Sequence, residues 1–182
     1  MPRSSDDYLT SLDDGRSVFL DGKRVSCVTK HPGFRRAARS IGNLYDLQAD
    51  PENITAMTFV SPKSNDRVSR MWQLPKCHED LVIRREALTK WAETHFGFMG
   101  RSPDHVASTI SAMYMGNEVY EKHGTERAQA VRNYYEYARD NDLYLSYVII
   151  DPQGDRSKSR SEGGNADLTV SVRHEDADGL VL

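Results

Sequence analysis

Up to Asp142 the apolar residues recur mainly at three- and four-residue spacing, and beyond it they form short β-prone runs between turn-forming residues. The two periods make different demands. The first buries a stripe on each helix, whereas the second needs strands paired into a sheet. This change of period predicts a mostly α chain with a β portion (α+β). It divides the chain into an N-terminal helical domain with hairpins over 1–142 and the start of a β domain over 143–182.

Local signals place the elements. Ser4, Ser5, Asp6 and Asp7 precede Tyr8, Leu9 and Leu12, predicting a short capped helix ended at Asp14-Gly15. Two β-prone runs, Val18-Phe19-Leu20 and Lys23-Arg24-Val25, flank Asp21-Gly22, a dipeptide that accepts the positive φ of a tight hairpin turn. After the break at His31-Pro32-Gly33, Phe34, Ala37, Ala38, Ile41, Leu44 and Tyr45 predict a helix that stops at Asp50-Pro51. Strands are expected over 57–60 and 68–74, on either side of the turn-rich loop 61–66, with Pro75 closing the second.

Three helices follow. The first runs over 78–96 with Leu81, Leu88, Trp91 and Ala92 inward. The second passes through Val106, Ile110, Met113 and Tyr114, with Ser102 or Asp104 as its cap and Pro103 in its first turn. The third covers 126–140 with Ala130, Val131, Tyr134 and Ala138 inward. Beyond these, strands are expected at 143–150, 168–172 and 180–182, with a Ser- and Gly-rich loop at 157–166 and a turn at 176–179. The last strand has no predicted partner, which predicts a continuation past Leu182.

Composition removes several classes of function. The net charge is −3, and the basic cluster Arg35, Arg36 and Arg39 spreads along one solvated face, which argues against a nucleic-acid partner. No apolar run approaches the ~20 residues that span a bilayer. The first seven residues lack the charged-then-apolar layout of a signal peptide. Cys27 and Cys77 are far apart with no CxxC, so neither a zinc site nor a disulfide framework is predicted. His31, His78, His95, His105, His123 and His174 lack the spacing of a metal site, and no metal is expected. A cytoplasmic location is the default expectation. GxSxG, P-loop and GxGxxG motifs are absent, so hydrolase, NTPase and Rossmann readings have no support.

Three segments are candidates for chemistry. In Gly97-Phe98-Met99-Gly100-Arg101-Ser102-Pro103-Asp104-His105 the paired glycines let the backbone turn closely and set Arg101 beside a helix N-terminus. A guanidinium and free N–H groups there favour an anion or a developing phenolate. His105 follows Arg101 by one helical turn and would share its face. The competing reading, more frequent for such spacing, is a plain helix connection with a surface arginine. Tyr134, Tyr135, Tyr137, Tyr144 and Tyr147 either line a flat aromatic pocket or pack half-buried, and packing is expected for most. Asp151-Pro152-Gln153-Gly154-Asp155-Arg156 is a turn able to hold a phosphate or a flavin edge, or is an ordinary loop.

Read together, several segments resemble the 4-hydroxyphenylacetate 3-monooxygenase large-component family. They are Tyr8 to Arg16, Asp21-Gly22-Lys23-Arg24-Val25, Val28 to Arg35, Gly97 to Asp104, Arg132-Asn133-Tyr134-Tyr135, and Leu143-Tyr144 through Arg156, in family order. The resemblance implies an acyl-CoA-dehydrogenase-like N-terminal helical domain plus the first strands of a middle β-barrel, with the rest of the barrel and a C-terminal bundle outside these residues.

The same resemblance implies that FAD, as FADH2 delivered by a separate flavin reductase, acts with O2 to hydroxylate a phenolic substrate ortho to its hydroxyl. It also implies a homo-oligomer in full-length form. The family's arginine against the phenol is kept as Arg101, His105 stands where the family has a tyrosine, and Tyr147 stands where it has a histidine. Pro152, Gln153, Asp155 and Arg156 match the family segment that contacts the flavin. A relative in the superfamily, 4-hydroxybutyryl-CoA dehydratase, holds an iron–sulfur cluster through cysteines near the glycine-rich segment; here none lies between Thr89 and Asp104. The alternative expectation is a catalytically inert helical domain serving assembly or partner binding.

Overall fold

The Asp21-Gly22 turn forms as its residue types require. Asp21 (φ 50) and Gly22 (φ 72) both take the left-handed conformation that matches the twist of a two-residue hairpin. It joins β1 (Val18–Leu20) to β2 (Lys23–Val25), with Val18 opposite Val25. A computed structural model describes residues 2–100, 102–147, 157, 172, 174–177 and 179–181, the last three by their backbone. It divides into two units, Met1–Leu145 and Ser146–Leu182.

In the first unit, α1 (Ser5–Ser11) begins with a capping box. The Ser4 hydroxyl accepts from the Asp7 N–H at 3.2 Å, and the Asp7 carboxylate accepts from the Ser4 N–H at 2.9 Å. α1 lies against α2 (Arg35–Ala49), which ends at Asp50 before Pro51 as expected. The two helices approach closely at Gly42, where a Cβ would stand 2.4 Å from the Ser5 hydroxyl. The Tyr8 and Tyr45 rings stack at 5.2 Å beside this crossing.

The region predicted as two strands is more compact. A turn of helix, α3 (Ile54–Met57), precedes β3 (Thr58–Val60), so Met57 is helical instead of extended. β4 (Arg67–Ser69) pairs antiparallel with β3, and the predicted strand stops there because Arg70–Trp72 turn into a 3₁₀ helix. Val68, Ser69, Arg70, Met71 and Trp72 are all buried, a run that a strand with alternating faces cannot supply. The Arg70 guanidinium accounts for the turn: it donates to the carbonyls of Thr55 and Ala56 at 2.6 Å and of Thr58 at 2.5 Å, closing the end of α3.

The predicted helices α4 (His78–Thr94), α5 (Asp104–Met115) and α7 (Thr125–Asp140) form, and a short α6 (Glu118–Glu121), not predicted, lies between the last two. Their inner faces differ from expectation. On α4 Ala87 and Trp91 are buried while Leu81 and Ala92 are exposed. On α7 the buried residues are Ala128, Tyr135, Ala138 and Arg139, whereas Ala130 and Tyr134 are exposed. One residue is a rotation of about 100° on a helix, and the position that can spend a phenol hydroxyl indoors decides it. Tyr135 donates to the Trp72 carbonyl at 2.6 Å, which Tyr134 on the neighbouring face does not do. Neither Ser102 nor Asp104 caps α5: its N-cap residue is Pro103, without a side-chain bond. The core joins Leu44, Met57, Met71, Trp72, Ala87, Trp91, Ala107, Tyr135 and Ala138.

Residues 143–147 form no strand, contrary to expectation, and 148–150 lie outside the described residues. The cause is the end of α7. Asp142 takes a left-handed φ of 47, and the Leu143 N–H returns to the Ala138 carbonyl at 3.0 Å. Leu143 and Leu145 then pack against the core and Tyr144 is also half-buried, so successive side chains do not alternate.

In the second unit β5 (His174–Asp176) pairs antiparallel with β6 (Gly179–Val181) around the predicted turn. The final strand therefore has a partner, which corrects the expectation that it lacks one. Of the expected strand at 168–172 and loop at 157–166, only Val172 and Ser157 are among the described residues, and neither is in a strand.

Candidate functional site

The Gly97-to-His105 connection grows from how α4 ends. The Gly97 N–H bonds the Ala92 carbonyl at 3.1 Å across a left-handed pair, Phe96 (φ 54) and Gly97 (φ 72). Phe96 thus occupies a position that glycine fills at less cost, and it is 84% exposed; Phe98 is 91% exposed. Met99 is the anchor. It packs against the core, its N–H donates to His95 Nδ1 at 3.4 Å, and its sulfur lies 3.9 Å from the Tyr144 hydroxyl. A depression of about 470 Å³ opens beside it, lined by Ile41 and Leu44 of α2 with Phe96, Phe98, Met99 and Tyr144.

His105 stands on the first turn of α5, half-buried, its N–H bonded to the Ser102 carbonyl at 3.1 Å. Its own carbonyl accepts from the Thr109 hydroxyl at 3.2 Å. Beneath this turn the Arg84 Nη2 of α4 donates to the Met71 carbonyl at 2.8 Å and to the Ser108 hydroxyl at 2.9 Å. Burial raises the Tyr144 phenol above its ordinary range, and the nearby Asp104 carboxylate adds to the shift. The turn of α5 therefore presents an imidazole and a helix N-terminus without a side-chain cap.

Arg101 lies outside the described residues, and so do Pro152, Gln153, Asp155 and Arg156. Tyr147 is exposed and belongs to the second unit. Of the tyrosines in the first unit, Tyr135 is in the core with its hydroxyl spent, while Tyr134 and Tyr137 are exposed on α7.

Three features had no clear signature in sequence. Arg84 sits in a charged run, Met99 reads as a loop residue, and Asp142 reads as a helix-ending turn. Yet Asp142 is 3% exposed, accepting from Gln48 Nε2 at 2.6 Å and from the Ser69 N–H at 3.0 Å. Burial pushes its carboxyl up to about 6 against the lowering effect of those bonds. Among the described residues no group of His, Cys, Asp or Glu is arranged to hold a metal, and no helix is long and apolar enough to cross a membrane.

Comparison with known proteins bears on all of this. Residues 4–182 match the family described as 4-hydroxyphenylacetate 3-hydroxylase N terminal. The chain is 34% identical to the 4-hydroxyphenylacetate 3-monooxygenase oxygenase component of Geobacillus sp., over 99% of this chain and 36% of that protein. It is 35% identical to the 4-nitrophenol 2-monooxygenase oxygenase component of Rhodococcus sp, over 100% of this chain and 34% of that one. The fold matches the crystal structure of the oxygenase component of 4-hydroxyphenylacetate 3-monooxygenase complexed with FAD and 4-hydroxyphenylacetate. The TM-score is 0.82 at 32% identity, covering 98% of this chain and 37% of that one. The chain thus spans about a third of the length of the relatives it matches.

Proposed function

This chain belongs to the 4-hydroxyphenylacetate 3-hydroxylase family, and from that premise we propose that it forms the substrate-side portion of a two-component, flavin-dependent monooxygenase that hydroxylates a phenol ortho to its hydroxyl. The fold is the mostly α, acyl-CoA-dehydrogenase-like one. The observation that carries the functional reading is the match along 98% of the chain to an oxygenase crystallised with FAD and 4-hydroxyphenylacetate.

Bound FADH2, supplied by a flavin reductase, would bring with O2 the oxygen atom and the redox equivalents. The protein's part is to bind, orient and polarise. A phenol becomes more nucleophilic at its ortho carbon as its hydroxyl loses proton density, so groups that favour the phenolate favour the reaction. Arg101 is proposed to pair with the phenolate oxygen, supported by the positive end of α5. His105 and Tyr147 are proposed to bond the same oxygen, each able to donate or accept. The apolar wall of Phe98, Met99 and Tyr144 would help exclude water.

Pro152, Gln153, Asp155 and Arg156 are proposed to contact the flavin. The exchange of residue types at 105 and 147 relative to the family pattern is proposed to shift preference away from 4-hydroxyphenylacetate. The full-length assembly is proposed to be a homo-oligomer working in the cytoplasm, where the free thiols of Cys27 and Cys77 stay reduced. By itself the 182-residue chain is proposed to be inactive and to bind FAD weakly or not at all.

Exchange of residues 4–182 for the matching third of the Geobacillus relative tests this reading. With flavin reductase, NADH and FAD, the chimera is expected to convert 4-hydroxyphenylacetate or 4-nitrophenol to the catechol, followed by liquid chromatography. Arg101→Ala in it is expected to lose about 10²-fold in rate; an unchanged rate removes Arg101 from the site. A chimera that binds FAD yet hydroxylates no phenol would favour an assembly domain instead.

A further inference from the structure

The first turn of α5 lacks a side-chain cap, and Ala107 and Ser111 seat the helix in the interior. Arg84 adds a polar tie to its N-terminal turns. Its Nη2 makes two bonds at once, to the Met71 carbonyl in the 3₁₀ helix at 2.8 Å and to the Ser108 hydroxyl at 2.9 Å. Ser108 lies three residues beyond His105 on the same helix, hence on the neighbouring turn of the same side. Arg84 thus ties α5 to an element that is itself pinned in the core, since Met71 and Trp72 are buried and the Trp72 carbonyl is held by Tyr135.

We propose that Arg84 is a positioning residue for the phenol site. It clamps the first two turns of α5 to the 3₁₀ helix, and so sets where the His105 imidazole stands. This rests on the reading that His105 faces the phenol. Burial pulls the Arg84 guanidinium below its ordinary range, and the Asp104 carboxylate on the first turn of α5 opposes that shift. The cation is therefore kept half out of water between the two elements it joins. A side chain there for solubility alone would not be held in that place.

The test uses the 182-residue chain and a readout independent of turnover. The His105 ring resonance is followed by NMR during titration with 4-hydroxyphenylacetate and, separately, 4-nitrophenol. In the unaltered chain the resonance is expected to move and saturate with at least one of them. Arg84→Met removes the donors, and Ser108→Ala removes only the acceptor on α5 while sparing the bond to Met71. Each is expected to weaken the apparent Kd about tenfold, because a displaced group no longer meets its ligand. Arg84→Lys, which keeps a cation and a donor, is expected to recover most of the affinity, and Ser108→Ala is expected to leave the amide spectrum of the 3₁₀ helix unchanged.

Saturation with the same Kd in Arg84→Met and Ser108→Ala overturns the positioning role and leaves the functional reading standing. A His105 resonance that neither phenol moves in the unaltered chain overturns both. Should Arg84→Met fail to fold, Ser108→Ala decides the matter alone.

Discussion

Asp142→Asn should make this protein more stable at neutral pH, although it removes a charge from a hydrogen-bonded buried carboxylate. The Asp142 carboxylate is enclosed by α2 and β4, accepting from Gln48 and from the Ser69 N–H, while the Asp142 carbonyl accepts from the Tyr45 hydroxyl at 2.8 Å. Those bonds do not offset the lost hydration, and the carboxyl is pushed up from 3.8 to about 6. The folded state therefore keeps a proton that the unfolded chain has released, and stability falls as pH rises between those two values and is level above them. Two pK units amount to about 3 kcal/mol of stability forfeited by neutral pH.

Asparagine has no such proton to lose. It tolerates the φ of 47 and keeps a carbonyl for the Ser69 N–H. Only the Gln48 amide must turn over, to present its oxygen to the new NH2. Allowing for imperfect bonds after that turn, a gain of about 1–2 kcal/mol at pH 7.5 is expected. Urea unfolding followed through the buried indoles of Trp72 and Trp91, at several values from pH 4 to 8, measures it. The difference between variant and parent should grow with pH up to about 6 and then stay constant. The opposite slope, or a variant less stable at pH 7.5, would falsify the claim that desolvation outweighs the hydrogen bonds.

Other substitutions probe the local geometry. Gly42→Ala should destabilise by about 1–3 kcal/mol in thermal unfolding through overpacking against the Ser5 hydroxyl, despite alanine's better helix propensity. Adding Ser5→Ala should recover most of that loss. Phe96→Gly should stabilise by about 1 kcal/mol, since it relieves a left-handed φ on a side chain that is 84% exposed; a fall in melting temperature would show that Phe96 packs on something in solution.

How far the sequence could be read depended on whether a feature was decided locally. The Asp21-Gly22 hairpin, the Ser4–Asp7 capping box and the stop at Asp50-Pro51 each follow from a few adjacent residues, and each forms. Failures came where a partner distant in sequence decided the outcome. Tyr135 instead of Tyr134 turns inward because the Trp72 carbonyl, 63 residues away, accepts its hydroxyl. The strand expected to reach Leu74 is bent at Arg70 because the carbonyls at the end of α3 draw the guanidinium in. Residues 143–147 have the composition of a strand, but α7 ends in a return bond to Ala138 that fixes the chain leaving it.

The site divides in the same way. The α5 helix carrying His105 is legible from the helical spacing of Val106, Ile110, Met113 and Tyr114, though not from its expected cap, and the family from the order of its segments. The supports of that turn are not, because Arg84, Ser108 and Met71 become neighbours only after α4, the 3₁₀ helix and α5 have packed. A motif can thus name the group that meets a substrate while leaving unnamed the one that aims it. For this chain the exchange at 105 makes that distinction consequential. In the role proposed for His105, an imidazole is shorter than a phenol, so its reach to the phenol would depend more on where the helix is held, and a small displacement of α5 would cost it more than it would cost a tyrosine.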